Sequence, residues 1–272
     1  MPELPEIANL ARQMTSRLQG NRIDKVELRQ PKCLNLTPER IRRRIVGKTV
    51  GDTKARGKWL FTKLDSCDNL LLNLGMGGDL RYHKTTDTIP EKYQFRMTFN
   101  DKTELTATFW WFGYIHLASD AELPKHKMTS KLGISPIEKA FTVERLGSLL
   151  SGRRGAIKSF LLDQKNIAGI GNVYVQDTLF KARLHPLRGI QTLTESEIQA
   201  LHRSVGEVLR VSIRLGGLRY ERDLYGRRGR YGSEQFLVGY KEKKPCPACG
   251  TTVKKIRTGS TSSYICSKCQ QL

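Results

Sequence analysis

The chain has 272 residues, 38% of them apolar, which is enough for two ordinary domains with cores of their own. Its 47 Lys and Arg against 26 Asp and Glu give a net charge of +21, and such an excess favours a polyanionic partner such as DNA or RNA. The sequence shows neither a signal peptide nor an apolar run long enough to span a bilayer. We therefore expect no membrane partner and a cytoplasmic protein, associated with the nucleoid if it is bacterial.

The first half of the chain predicts one helix followed by a β-domain. Apolar residues recur with helical spacing over residues 3–19. Residues 22–117 instead form short stretches rich in β-branched and aromatic side chains, which predict strands at Ile23–Leu28, Trp59–Leu64, Leu70–Leu74, Gln94–Phe99, Glu104–Phe109 and Gly113–Leu117, with a hairpin turn at Asn100-Asp101. Many short strands at close spacing indicate an antiparallel β-sandwich.

Helical spacing returns after residue 141. It predicts helices over Arg153–Lys165, Asn172–Ala182 and Glu195–Leu215, the last of them ended by Gly216-Gly217. Residues 218–232 are rich in Gly, Arg and Tyr without a period, and we expect a mobile loop there. The predicted fold class is α+β with two domains: an N-terminal catalytic domain at 1–135, a linker at 136–151, a helical DNA-binding domain at 152–240 and a finger at 241–272.

Two Cys-x-x-Cys pairs near the C-terminus predict a metal site. Cys246 and Cys249 are followed after sixteen residues by Cys266 and Cys269, and four thiolates at this spacing close a tetrahedral Zn²⁺ site without an open position. One structural Zn²⁺ is therefore expected. Basic residues flank the pairs, which favours a hairpin that contacts DNA phosphates, although a zinc ribbon without any nucleic-acid contact fits the same pattern.

The N-terminal hexapeptide, MPELPE, offers a nucleophile. Removal of Met1 leaves Pro2 with a free secondary amine, and an α-amino group, with a pKa of about 7.7–8.0 against about 10.4 for lysine, has a substantial unprotonated fraction near neutral pH. Such an amine can form a Schiff base with an aldehyde-level carbon, and Glu3 beside it can exchange the protons. The alternative is an ordinary helix start, because Pro and acidic residues favour the first turn.

A glycine-containing segment, Ile167–Tyr174 with the sequence IAGIGNVY, separates two predicted helices. Glycines before a helix let backbone amides approach a phosphate, and Asn172 can add a side-chain donor. A simple interhelical turn is the alternative.

These motifs, in this order, resemble the Fpg/Nei family of DNA glycosylases (formamidopyrimidine-DNA glycosylase and endonuclease VIII). The resemblance covers essentially the whole chain, and it rests on MPELPE, Ala55-Arg56-Gly57-Lys58-Trp59, Leu74-Gly75-Met76-Gly77-Gly78 with Leu80-Arg81, IAGIGNVY, His185-Pro186 and the four-cysteine finger.

The resemblance implies a β-sandwich domain with a leading helix, a helical domain with a helix–two-turn–helix motif, and double-stranded DNA with damaged bases or abasic sites bound in the cleft between the domains by a monomer. Pro2 would attack C1′ of the damaged nucleotide, Glu3 would act as acid and base, and elimination would nick the strand 3′ to the lesion. Lys58 would assist elimination near the lesion phosphates. Considered by itself, Lys58 is an ordinary solvated charge at the start of a strand.

The resemblance also implies DNA contacts. Asn172 matches a phosphate-binding residue, and Met76 and Phe112 match side chains that fill the gap left by the flipped nucleotide, although by themselves they would be core or loop residues. Further DNA contacts are expected from Glu6, Trp110, Trp111, Arg154, Lys158, Gly171 and Tyr231.

The chain departs from the family pattern at several positions. Trp110 stands where the family has the Arg that hydrogen-bonds to the orphaned base, and an indole can stack on that base but has no fork of donors. Thr261 replaces the finger Arg that clamps a phosphate, so another cation, Lys254, Arg257 or Lys268, takes over the contact or the second elimination is weaker. Tyr93 aligns near a missing phosphate-binding His, and residues 219–231 have an unusual composition. We therefore expect a lesion preference that is not simply 8-oxoguanine opposite cytosine.

Two other classes of protein fit parts of the sequence. A catalytically silent protein that binds damaged DNA would keep the charge, the finger and the GIGN turn, with Pro2 and Glu3 serving only to start a helix. An RNA-associated factor would account for the charge and the finger but not for MPELPE. The enzyme accounts for all of these features, and we predict a bifunctional DNA glycosylase and AP lyase of base excision repair.

Overall fold

The structure, a computed structural model, describes residues 1–272 and divides into two compact units. The first contains Met1–Lys131 and Gly216–Arg230, and the second contains Leu132–Leu215 and Tyr231–Leu272. Residues 216–230, which the sequence analysis assigned to the helical domain, thus pack with the N-terminal unit. No helix in either unit combines the length and the apolar character needed to cross a bilayer.

The first unit is a β-sandwich with a leading helix, as predicted. Its elements are α1 (Leu4–Leu18), β1 (Ile23–Leu28), α2 (Pro38–Ile45), β2 (Val50–Arg56), β3 (Trp59–Leu64), β4 (Asp68–Asn73), β5 (Asp79–His83), β6 (Phe95–Phe99), β7 (Glu104–Thr108) and β8 (Tyr114–Ser119). One sheet has the strand order β1-β6-β7-β5 and the other β2-β3-β4-β8, with antiparallel neighbours throughout.

One apolar cluster fills the sandwich. Alternate residues of each strand point to the same face, so every second side chain of β3, β6 and β7 is buried between the sheets. The helical period of α1 adds a further buried stripe. Each such aliphatic or aromatic side chain contributes on the order of 1.5–3 kcal/mol through burial. The cluster includes Ile7, Leu10, Met14, Leu18, Leu60, Leu64, Leu70, Leu72, Phe95, Met97, Phe99 and Leu105.

The second unit is helical and ends in a two-stranded hairpin. It contains α3 (Val143–Leu150), α4 (Ile157–Leu162), α5 (Tyr174–Lys181), α6 (Glu195–Arg214), β9 (Lys254–Thr258) and β10 (Thr261–Ile265). A capping box starts α6, because the Thr194 amide donates to Glu197 Oε2 at 2.8 Å and the Glu197 amide donates to Thr194 Oγ1 at 3.3 Å.

A buried carboxylate joins α5 to the segment that precedes the finger. Asp177 accepts hydrogen bonds from the backbone amides of Leu237, Val238 and Gly239 at 2.9, 3.0 and 2.9 Å. Bonds from three amides to one carboxylate are charge-assisted, and they fix the path of this chain against the helix.

Some predicted boundaries were too wide and four elements were missed. The helix predicted over 153–165 begins only at Ile157, because Gly155 has a φ of +102° and Ala156 is extended. The hairpin loop predicted as Asn100-Asp101 extends to Thr103, with Lys102 at positive φ. Helix α2 and strands β2 and β5 were missed because they are short and rich in charged residues, with too few apolar side chains to mark a period. Helix α3 was missed because it lies in the stretch assigned to the linker at 136–151.

Candidate active site and nucleic-acid interface

The predicted nucleophile lies at the start of α1. Pro2 and Glu3 are both buried, and Glu3 is the N-cap residue whose amide donates to Glu6 Oε2 at 2.8 Å. The helix therefore fixes the main chain of this segment directly behind the Pro2 nitrogen. A buried carboxyl next to an N-terminal amine is the arrangement that acid–base chemistry at that amine requires.

A second carboxyl, which the sequence analysis missed, faces the N-terminus. Glu221 Oε1 lies 3.8 Å from the Met1 amine. Burial raises the pKa of Glu221, the Met1 amine lowers it, and the charges of Asp79 and Glu3 raise it further. Burial also raises the pKa of Asp79, against the charges of Arg81 and Arg222. Glu221 thus lies beside the N-terminal amine, and Asp79 and Glu3 are near enough to act on its charge.

Glu6 has a structural role instead of the direct DNA contact predicted for it. Only 3% of the residue is exposed, and its two oxygens accept from the amides of Glu3 and Leu218, the latter at 3.0 Å. Gly217, with a φ of +89°, leaves room for this contact, because a Cβ there would lie 2.8 Å from Glu6 Oε1. The carboxylate therefore ties the first turn of α1 to residues 216–230.

The segment predicted as a mobile loop at 218–232 packs with the first unit as far as Arg230. Gln13 donates to Asp223 Oδ2 at 3.0 Å and accepts from the amide of Leu224, whose side chain is completely buried in the sandwich core. The amide of Tyr82 in β5 donates to Leu224 O at 2.9 Å. This packing is what places Glu221 beside the N-terminus.

Two loops of the sandwich together present the predicted gap-filling residues. The Met76 amide donates to Trp111 O at 2.8 Å and the Trp110 amide donates to Met76 O at 3.0 Å, which makes a short antiparallel bridge. Met76, Trp110, Trp111 and Phe112 are all exposed, Trp110 to 81%. Four large apolar side chains next to one another on the surface are unusual in a monomer and indicate a binding surface.

Backbone conformation fixes this aromatic surface. Phe112 has a φ of +58°, a left-handed conformation that is costly for a bulky residue and concentrates at functional sites. Gly77, at +64°, lies flat against the indole of Trp110, since a Cβ there would come within 2.7 Å of Trp110 Cδ2. The glycines of the LGMGG segment thus shape the surface that the aromatic rings form.

Lys58 occupies the tight turn between β2 and β3. It follows Gly57, which has a φ of +61°, and its carbonyl accepts from Asn73 Nδ2 at 3.0 Å. The side chain is half-exposed, so its ammonium can reach a ligand from a turn whose backbone is fixed.

In the second unit, the turn between α4 and α5 is organised by one glutamine. Gln164 Nε2 donates to the carbonyls of Leu162 and Ile170 at 2.9 Å each, and its Oε1 accepts from the amide of Gly169 at 2.8 Å. Gly169 has a φ of +110°, which only glycine adopts readily. The IAGIGNVY segment is therefore a compact turn between two helices, and it presents the half-exposed Asn172 at its end, whose phosphate contact stays a prediction.

Lys158 does not have the exposed position expected of a DNA contact. Only 2% of the residue is exposed, and its ammonium donates to four oxygens of the finger hairpin. They are Thr258 Oγ1 at 3.0 Å, Thr261 Oγ1 at 2.9 Å, Ser262 O at 2.7 Å and Ser263 Oγ at 2.8 Å. Burial lowers the pKa of Lys158 to about 8.

The other predicted contacts of this unit divide into exposed and buried residues. Arg154 is exposed and lines, together with Arg153, a surface pocket of about 510 Å³. Gly171 is buried within the turn, where only its backbone can serve a ligand. Tyr231 is 3% exposed and packs its ring against Tyr174, so its predicted DNA contact is replaced by a role in the core.

The four cysteines form a site that fits one zinc ion. Their sulfur atoms all lie within 4.8 Å of one another, with Cys249 Sγ at 3.4 Å from Cys266 Sγ and 3.5 Å from Cys269 Sγ. Tetrahedral zinc with Zn–S bonds of about 2.3 Å requires S···S distances of about 3.8 Å, and the set supplies four thiolates without an open position. The site is therefore a structural Zn²⁺ centre beside the hairpin.

Family models match most of the chain. Residues 1–108 match the formamidopyrimidine-DNA glycosylase N-terminal domain, residues 132–222 match the H2TH domain of the same enzymes, and residues 243–272 match the zinc finger found in FPG and IleRS. The chain belongs to the formamidopyrimidine-DNA glycosylase family, the DNA glycosylases of base excision repair.

Individual relatives agree with this assignment over their full lengths. The chain is 35% identical over 281 aligned positions to formamidopyrimidine-DNA glycosylase of Chloroflexus aurantiacus, covering 99% of this chain and 98% of the relative, and 32% identical to that of Bacillus subtilis, covering 99% of each. Crystal structures of Lactococcus lactis Fpg are also similar. A G226P mutant bound to Fapy-dG DNA has a TM-score of 0.91 at 30% identity, with both chains fully covered, and a complex with abasic-site DNA has 0.89 at 29% identity, covering 99% and 100%.

Proposed function

We propose that this enzyme is bifunctional, with the Pro2 amine as nucleophile of both the glycosylase and the AP lyase steps. The observation that carries the proposal is the buried Glu3 carboxyl directly after Pro2, fixed as the first cap of α1. Met1 has to be removed, because its peptide bond otherwise uses the Pro2 nitrogen. Its departure also opens the space beside Glu221 that a sugar would need.

The reaction then follows ordinary amine chemistry. The Pro2 nitrogen forms a bond to C1′ while the bond from C1′ to the base breaks, and the base leaves as its neutral form with the proton that the Pro2 nitrogen loses. Glu3 protonates O4′, the sugar ring opens and an iminium remains between C1′ and Pro2. The Glu3 carboxylate then takes a proton from C2′ and the bond from C3′ to the 3′ phosphate breaks, a step that Lys58 assists near the phosphates. Water then releases the sugar end and restores the amine.

We propose that the surface of Met76, Trp110, Trp111 and Phe112 replaces the flipped nucleotide in the stack. Base flipping costs unstacking energy, which inserted apolar side chains offset. Because Trp110 stacks and carries no donor fork, the enzyme accepts lesions with little regard to the opposing base, and its preference is not simply 8-oxoguanine opposite cytosine. Asn172 and Arg154 are the proposed phosphate contacts, and the enzyme acts as a monomer on nucleoid DNA in the cytoplasm.

Borohydride trapping on a duplex with one abasic site tests the nucleophile. We expect a covalent complex with the wild type and a strongly reduced yield with Pro2→Gly. Pro5→Gly makes the same change three residues further on and should retain the complex. Intact-mass measurement verifies that Met1 is removed in each protein.

Two results of the trapping experiment would contradict the proposal, each in a different way. Equal trapping by Pro2→Gly would show that the secondary amine of proline is not required, because glycine at this position also carries an N-terminal amine. Tight binding of abasic DNA by the wild type without trapping would favour the alternative, a damage-binding relative without chemistry.

A further inference from the structure

The ammonium of Lys158 is a buried charge without a counter-charge. Its four hydrogen-bond acceptors are three hydroxyls and one carbonyl, all neutral and all from the finger hairpin. Burial is the only cause of its lowered pKa, so no carboxylate of α4, of α5 or of the hairpin compensates it. A buried charge that is hydrogen-bonded but unpaired is costly, and an approaching anion would remove part of that cost.

The hydroxyl of Thr261 carries the effect of this charge to the surface. Since the Thr261 oxygen accepts from Lys158 at 2.9 Å, its own proton has to point away from the ammonium. The acceptor nearest to it within the chain is Thr258 O at 3.4 Å, longer than a good O–H···O hydrogen bond. Thr261 is half-exposed, and the exposed Gly259 and Ser260 form the turn beside it. The hydroxyl is therefore a polarised donor at the tip of the hairpin.

We propose that the tip of the finger hairpin binds one phosphodiester oxygen of DNA through the Thr261 hydroxyl, with the buried ammonium of Lys158 as the source of positive charge. The inference rests on the proposed function, since it takes DNA to be the ligand. It assigns to Lys158 and Thr261 together the place of the surface arginine that the sequence lacks, and it excludes any need for Lys254, Arg257 or Lys268 to supply this contact.

A glutamine joins this hairpin to the turn that carries Asn172. Gln176 Nε2 donates to Asn172 Oδ1 at 3.1 Å and to Ser262 O at 3.2 Å, while Gln176 Oε1 accepts from the Tyr264 amide at 3.1 Å. The amide oxygen of Asn172 is thereby engaged, which leaves its NH₂ group as the phosphate donor. Both proposed donors thus depend on one set of hydrogen bonds within the second unit.

The test measures binding of an abasic-analogue duplex by wild type, Thr261→Val and Thr261→Arg. Thr→Val keeps the shape and removes only the hydroxyl, so we expect binding weakened about tenfold, the usual effect of losing a hydrogen bond to a charged group. Thr261→Arg should bind at least as tightly as the wild type, because arginine supplies a phosphate donor of its own. Thr252→Val, the same change at an exposed finger position, should bind as the wild type does. Zinc content verifies that each finger is folded.

Methylphosphonates placed singly along the duplex locate the contact. A methylphosphonate at one position should weaken DNA binding by the wild type and leave binding by Thr261→Val unchanged. The variant lacks the hydroxyl, so it has no contact with that phosphate to lose. Unchanged affinity and unchanged methylphosphonate sensitivity in a zinc-loaded Thr261→Val would overturn the proposal, with trapping on Pro2 unaffected. A wild type that neither binds nor traps abasic DNA would refute the proposed function itself, and this inference with it.

Discussion

Exchanging Trp110 for arginine should make the enzyme selective for the base opposite the lesion. The indole is 81% exposed and stands on Gly77, so the change needs no repacking of the core. Stacking of an aromatic ring on a base contributes about 1–3 kcal/mol whichever base is present. A bidentate arginine discriminates against wrong bases by about 1–3 kcal/mol, which is about 5- to 150-fold in rate at 1.4 kcal/mol per factor of ten.

The assay is single-turnover excision of one lesion placed opposite each of the four bases. We expect wild-type rates within about fivefold of each other and a spread of at least about tenfold for Trp110→Arg, following the discrimination of a bidentate contact. Trp111→Arg adds the same charge at the neighbouring residue and should leave the excision rates opposite the four bases close to one another. Strong discrimination by the wild type, or an equal spread in both variants, would refute the assignment of base reading to position 110.

Two further predictions concern stability and pH. Gly75→Ala should cost about 2–4 kcal/mol, because at a φ of +55° its Cβ would overlap Trp111 O and break the bridge between the two loops; thermal unfolding should show a far smaller loss for Gly20→Ala, which has a φ of +88° and open space around it, and equal losses would contradict the clash. His116, hydrogen-bonded to His126 at 2.9 Å, has a pKa lowered by burial to about 4, so its stability contribution is present above about pH 6.5 and lost as the pH falls towards 4. His116→Asn should flatten that acid-side loss in pH-dependent unfolding, and an unchanged profile would mean that other groups cause it.

Sequence periodicity located most of the fold because the core of each unit is regular. Strands β1 and β3 have the predicted bounds, and α6 ends one residue before its predicted end, since alternation or helical spacing of apolar residues marks them clearly. Strand β2 was missed because it is an edge strand with Gly51 and Asp52 at positions that a central strand would fill with apolar residues. Helix α2 was missed because only Ile41 and Ile45 mark its buried side, although the Thr37 cap before Pro38 signals its start.

The candidate site was harder to predict from the sequence than the fold. The zinc ligands and the Pro2-Glu3 pair could be predicted because their chemistry depends on residues that are close in the sequence. Glu221 could not be predicted, since it reaches the N-terminus only through the packing of residues 216–230. That packing involves two buried leucines, Leu218 and Leu224, within a polar sequence. Lys158 and Tyr231 were taken as surface residues because a single charged or aromatic side chain gives no sign of burial in the sequence.

The two missing arginines have a common physical consequence. At position 110 the indole of Trp110 can stack on a base, whereas an arginine would donate two hydrogen bonds to it. At position 261 the neutral hydroxyl of Thr261 accepts a hydrogen bond from the buried ammonium of Lys158. Both exchanges remove a flexible surface charge and leave a contact whose direction is fixed by packing. Non-directional attraction to DNA then comes from the general excess of positive charge, +21 for the chain, and is sensitive to salt. Recognition of the lesion would depend instead on shape and stacking, which tolerate several damaged bases and several opposing bases.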